Sequence, residues 1–261
     1  MLYPIKKKIS DIRFYFKKFG LDILLSKFSI NSSPSVKLKS QEQPYLANLI
    51  DLYNLHRSII LNKRLGVMEF GSGWSTIVIS NALRYNKKIY FNSVKNFRVN
   101  NPFFSISLEN SKKYLKITQS KLKKLNLQSY NKLFFSECKM TNFGGNIATE
   151  YSNLPNFNPD LIYLDGPDQT EIKGNVNGIN IRYNDFTPMN CDILKIEFFL
   201  TSGTIIVSDG RARNVEFLRR NFKRNWKYKY FSWCDQHFLE LVEKPNGPLS
   251  EKRLNFYNKK A

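Results

Sequence analysis

The apolar positions of this chain follow two rhythms. Between Gln41 and Leu61, Leu46, Leu49, Ile50, Leu52, Tyr53 and Leu55 recur at spacings of three and four, which predicts a helix with one buried face. Leu65-Gly66-Val67-Met68 is then a short unbroken apolar run, as expected of a strand covered on both sides. Ile77 to Leu83 returns to a helical pattern that extends to about Asn86. Lys87 to Phe97 suggests a short extra strand, and Pro102 to Leu108 a second main strand. Ser111 to Leu125 reads as a strongly basic helix, and Lys132 to Ser136 as a third strand. Asn142 to Asn158 reads as a polar loop. Leu161 to Leu164 is a buried strand, followed by a polar loop from Asp168 to Thr187. A helix is expected at Asp192–Leu200, a fifth strand at Gly203–Ser208 and a helix at Val215–Phe222. Tyr228–Phe231 and Phe238–Val242 look like two strands that pair at an antiparallel edge.

This alternation predicts an α/β fold, a doubly wound Rossmann-like sheet, mostly parallel with a C-terminal antiparallel hairpin. Residues 1–40 read as a basic helical extension, with Asn31 to Ser35 as a linker. The α/β domain is expected over residues 41–245, and residues 246–261 read as a basic tail.

Where the first strand meets its helix stands Glu69-Phe70-Gly71-Ser72-Gly73-Trp74-Ser75-Thr76. Gly71 and Gly73 leave the main chain bare, so that a ligand can lie against it, and the helix that follows directs free N–H groups at that ligand. Glu69 is expected to turn a carboxylate toward the same crevice. A dinucleotide turn normally has a third glycine, and here that place is Thr76. Three further acids fall at predicted strand ends: Glu109, Asp165 in Asp160-Leu161-Ile162-Tyr163-Leu164-Asp165-Gly166-Pro167, and Asp209 before Gly210-Arg211. Open α/β sheets bind ligands at such ends. Taken singly, each acid also suits a plain helix cap or strand-to-turn position.

The glycine segment resembles motif I of class I S-adenosylmethionine-dependent methyltransferases, and the Asp160–Pro167 segment resembles their fourth-strand motif. The resemblance covers roughly residues 45–243. It implies S-adenosylmethionine as cofactor, held by Glu69, Gly71, Ser72, Gly73 and Ser75, with Glu109 on the ribose hydroxyls. It also implies Glu137 and Cys138 beside the adenine, and Asp165 near the cofactor's amine. Asp165, Asp209 and Arg211 are the candidates for work on the methyl acceptor. Some small-molecule O-methyltransferases hold a divalent metal with acids after the fourth and fifth strands; Gly210 stands where a further ligand is expected, so no metal is assigned. The rival readings are a nicotinamide-dependent oxidoreductase and a non-catalytic basic binding protein on the same scaffold. Against the first stand Thr76 and the lack of a Tyr-x-x-x-Lys pair near a strand end. Against the second stand intact Glu69 and Glu109.

Charge changes the picture only in part. The 261 residues hold 41 Lys and Arg against 21 Asp and Glu, a formal net charge of +20. That balance permits contact with nucleic acid, an anionic glycan or a membrane surface through the basic N-terminus. It is also what an AT-rich coding bias produces. The Asn-Pro-Pro-Tyr-type sequence of base amino-methyltransferases is missing, so a small molecule, sugar or glycan precursor is favoured over nucleic acid. Cys138, Cys191 and Cys234 form no metal or disulfide pattern, and neither a membrane span nor a signal peptide is apparent, which suggests a cytoplasmic protein.

Overall fold

The computed structural model describes residues 1–26, 28–29, 46–181 and 189–259. The linker expected at Asn31–Ser35 and the end of the loop expected to reach Thr187 lie outside them.

The chain opens with α1 (Ile9–Lys18), a 3-10 turn (Asp22–Leu25) and two two-residue strands, β1 (Phe28–Ser29) and β2 (Ala47–Asn48), which pair in parallel. Then follow α2 (Leu49–Leu61), β3 (Gly66–Phe70), α3 (Trp74–Val94), β4 (Phe104–Glu109), α4 (Lys112–Lys124) and β5 (Asn131–Phe135). An inserted unit follows, made of β6 (Cys138–Phe143), β7 (Asn146–Tyr151) and, beyond β8 (Leu161–Leu164), the short β9 (Ile172–Lys173). The chain ends with α5 (Asp192–Ile196), β10 (Ile205–Asp209), α6 (Ala212–Asn221), β11 (Trp226–Phe231), β12 (Gln236–Leu241) and α7 (Pro248–Asn258).

The central sheet has seven strands in the order β11-β12-β10-β8-β3-β4-β5. From β10 to β5 every neighbour is parallel, while β12 runs antiparallel to both β10 and β11. This is the doubly wound sheet with a terminal hairpin that the alternation predicted. Helices cover both faces. Leu55, Ile59, Ile79 and Leu83 of α2 and α3 pack on Val67, Tyr163 and Val207. Ile193 of α5 and Val215 of α6 pack on Met68, Ile162 and Ile206 on the opposite face. Strand order reverses between β3 and β8, and ligands of open α/β sheets sit at the carboxyl ends beside such a point.

Several elements differ from the sequence pattern for local reasons. Helix α2 starts at Leu49, because Asn48 caps it by accepting hydrogen bonds from the N–H groups of Ile50 and Asp51. Leu46, ahead of that cap, is exposed. No strand forms over 87–97; α3 continues to Val94. Tyr90 and Val94 pack with Leu65, Phe103 and Tyr257, and buried Asn86 donates to the carbonyls of Ile59 and Arg64. The loop expected over 142–158 begins with a hairpin, β6–β7, turning at Gly144 and Gly145 with φ +57° and +84°. Its Cys138, Met140, Ala148 and Tyr151 pack into the core.

The expected C-terminal tail is α7, and it is anchored by a buried carboxylate. Asp160 is fully buried and accepts from the N–H groups of Leu65 and Gly66, at 2.8 and 3.0 Å, and from the Tyr257 hydroxyl at 2.7 Å. Arg253 of α7 lies 3.5 Å away. The Arg64 guanidinium stacks on the Tyr257 ring and donates to the carbonyl of Gly203. Asp160→Ala leaves two backbone donors and two arginines without their anion. It is expected to lower stability by about 3 kcal/mol or more, read from urea unfolding followed by tryptophan fluorescence. A loss below about 1 kcal/mol would show that this anchor is not needed.

Candidate active site

The glycine turn is held from beneath by a carboxylate. Glu69 is fully buried at the end of β3 and accepts three hydroxyl hydrogen bonds: from Ser75 at 2.5 Å, Thr76 at 2.7 Å and Ser107 at 2.5 Å. Thr76 also accepts from the N–H of Gly73 at 3.0 Å. Burial pushes Glu69 up to about 7, against the pull of those three donors. The expectation that Glu69 faces the crevice is therefore corrected: it fastens the turn to the first residues of α3. Ser75 is likewise turned inward to Glu69. The residue in the third glycine position has the same task, since Thr76 joins Gly73 to Glu69.

Gly71 has φ +104°, its N–H donates to the carbonyl of Leu108, and the N–H of Asp165 donates to Phe70. The ends of β3 and β8 thus meet over a very short distance. A Cβ at Gly166 would lie 2.4 Å from the Gly71 nitrogen, so only glycine fits there. Beyond that contact the Asp165–Asp168 loop arches past β3 to β4. Asn110 and Asp168 exchange two hydrogen bonds of 3.0 Å, side chain to main chain, and close the arch. Gly73, by contrast, has nothing within 4 Å of where its Cβ would stand. The open side of the turn is therefore at Ser72 and Gly73.

Glu109 ends β4 beside this opening. Its carboxylate accepts from the Ser72 hydroxyl and from the Ser111 N–H, each at 2.7 Å. Burial pushes it up to about 7. A hollow of about 270 Å³ adjoins it, lined by Asn110, Ser111, Lys112, Phe135, Glu137 and Lys173. Glu137 lies at the rim of that hollow, ion-paired with Lys173 at 2.6 Å. Cys138 does not line it: its side chain is fully buried in the core beneath the hairpin, a correction to its expected place beside an adenine. A second hollow, about 320 Å³ along residues 172–181, touches none of the strand-end acids.

On the other side of the turn, Asp165, just past β8, and Asp209, the last residue of β10, occupy matching positions one residue beyond the Leu164–Ser208 pair. Tyr163 and Val207, two residues earlier in each strand, face α2 and α3. Alternation then puts both carboxylates on that same face. Asp209 is bonded to Asp51, a buried acid in the first turn of α2. Burial raises Asp51 to about 7, against the pull of its hydrogen bond to Asp209, and raises Asp209 well above the ordinary carboxylate range, where the charge of Asp51 pushes the same way. Carboxyl groups so close titrate as a pair, not singly. Asp51 escaped the sequence reading because it sits within an apolar helical stripe, where one acid in a first turn reads as complementing the helix dipole.

Arg211 is a clamp. Its guanidinium donates to the carbonyls of Asp165 and Pro167 and lies 3.8 Å from the Asp165 carboxylate. It fixes the loop that carries Asp165 and stands beside that carboxylate. Among the described residues no three His, Cys, Asp or Glu side chains are grouped to hold a metal ion.

No protein-family model matches the sequence, and no curated protein does. Solved structures of similar architecture include an SAH-bound methyltransferase of Podospora anserina, at TM-score 0.48 and 11% identity over 93% of this chain and 99% of that one. The O-methyltransferase of Bacillus cereus in complex with SAH has TM-score 0.43 and 14% identity, over 92% and 93%. The tRNA (m1A58) methyltransferase of Aquifex aeolicus has TM-score 0.43 and 14% identity, over 78% and 73%.

The acid pair makes stability depend on pH. Asp51 has a folded-state value above its ordinary one, so its contribution is complete below 3.8 and is lost as pH rises through about 7. Asp51→Asn, which stays neutral, is expected to show a shallower fall in urea midpoint between about pH 5 and about pH 8 than the parent. An equally steep fall would exclude Asp51 as a contributor.

Proposed function

We propose that this protein is an S-adenosylmethionine-dependent methyltransferase acting on a small molecule, sugar or glycan precursor. The observation that carries the reading is the pairing of an open Ser72–Gly73 turn with Glu109 on the next strand, at the point where strand order reverses. A bare main chain at Gly73 and a neighbouring carboxylate suit a nucleoside ligand there. The ribose hydroxyls take the place of Ser72 at Glu109. Thr76, engaged with Glu69, removes the third glycine on which a dinucleotide turn relies, and this disfavours the nicotinamide reading.

The cofactor, when bound, supplies an electrophilic methyl group on a sulfonium. The chain's own share is alignment and proton handling. Asp165, with 53% of its side-chain surface open, faces the acceptor side. The Asp51–Asp209 pair, raised by burial, is the base that takes a proton from an acceptor hydroxyl or amine in this reading. Arg211 keeps the Asp165 loop in place. Carboxylates on this side repel a phosphodiester, which favours a neutral or cationic acceptor over nucleic acid.

Two measurements test the cofactor assignment. Gly73→Val is expected to retain its fold, because the space above Gly73 is open, and to lose binding of S-adenosylhomocysteine by calorimetry. Binding equal to the parent would remove the assignment. Glu109→Ala is expected to weaken the same ligand by about 1.5–3 kcal/mol, with a smaller effect on a 2′-deoxy analogue. Equal losses for the two ligands would point to a folding defect instead of lost ribose contacts.

A further inference from the structure

Helix α1 has a second face that the crevice does not use. Ile12 and Phe16 are buried against the α2–α3 layer, with Ile9, Tyr15 and Phe19 packed beside them. At 3.6 residues per turn, Phe14 stands on the opposite side, where it is 72% exposed. The rest of that outer arc is Ser10, Asp11, Arg13, Lys17 and Lys18, all exposed. A phenyl ring at the crest of a solvent face, with basic side chains on both flanks, matches a helix lying in a bilayer interface. The ring enters the acyl boundary, and the long cationic side chains reach up to the headgroups.

The segment ahead of α1 extends the pattern. Lys6, Lys7 and Lys8 are exposed, and so are Leu2 at 53% and Ile5 at 38%. From Leu2 to Lys18 the chain carries six Lys and Arg against one Asp. Charge complementarity alone would admit either anionic lipid or nucleic acid. The apolar members decide between them: Leu2 and Ile5 have no π face on which a base could stack, whereas acyl chains accept aliphatic and aromatic side chains alike.

We propose that Leu2–Lys18 is a docking surface for an anionic lipid bilayer, with α1 lying flat, Phe14 inserted, and Lys17, Lys18 and the Lys6–Lys8 run at the headgroups. This surface is independent of the methyl-transfer reading. Because α1 packs on α2, it belongs to the layer that carries Asp51.

The test is flotation of the full-length protein with vesicles. At about 0.1 M salt it is expected to float with vesicles of about 70% phosphatidylcholine and about 30% phosphatidylglycerol, and not with phosphatidylcholine alone. Phe14→Ala should weaken partitioning about tenfold, and the double variant Lys17→Glu, Lys18→Glu by more. These residues are exposed, so both variants should keep the parent's circular dichroism and thermal midpoint. The proposal is overturned if the parent does not float with anionic vesicles, or if Phe14→Ala partitions as the parent does. It is equally overturned if the protein ignores vesicles but binds a single-stranded RNA oligonucleotide that the double variant releases.

Discussion

The geometry of the crevice depends on the closeness of two strand ends. Gly71 and Gly166 approach so nearly that a methyl group on Gly166 would overlap the Gly71 backbone. That contact joins β3 to β8 at the point where strand order reverses. It lets the Asp165–Asp168 loop cross β3 and pair with Asn110 beyond it. Arg211 then holds the loop from the β10 side. The result is a turn covered at Gly71 and open at Gly73. The acids of β8 and β10 lie on one side of it and Glu109 on the other.

The second constraint is electrostatic. In a chain with net charge +20, key acids lie inside and most of the basic residues outside. Glu69, Asp160, Asp51 and Glu109 are all at or below 2% exposure. Each is met in a different way: Glu69 by hydroxyls, Asp160 by backbone N–H groups and a tyrosine, and Glu109 by a serine and a backbone N–H. Asp51 meets a second carboxyl group and keeps one oxygen without a partner among the described residues. Donors stabilise the first three in place. The fourth arrangement favours the protonated form, since burial raises both Asp51 and Asp209 and, among the described residues, no cationic or main-chain donor is bonded to Asp51 in compensation.

The mostly parallel sheet, its helices on both faces and the terminal hairpin were legible in the sequence, because hydrophobic period reports burial directly. So was the placement of Glu69, Glu109, Asp165 and Asp209 at strand ends. The β6–β7 hairpin was hidden because its polar residues mask the alternation of Cys138 and Met140. Helix α3 past Asn86 was hidden because Tyr90 and Val94 are stabilised by Phe103 and Tyr257, which are distant in sequence. Helix α7 depends in the same way on Asp160, almost a hundred residues earlier in the chain.

What the sequence by itself determined was therefore which residues reach the carboxyl edge of the sheet, since strand period and turn glycines are local properties. Their direction and pairing were decided only by tertiary structure. Glu69 turns under its loop because Ser75, Thr76 and Ser107 converge on it from α3 and β4. Arg211 spans to the β8 loop because β10 lies beside β8. Asp51 joins Asp209 because α2 packs over that face of the sheet. Each of these is a contact between elements, and hydrogen bonds between elements leave no periodic trace along a chain.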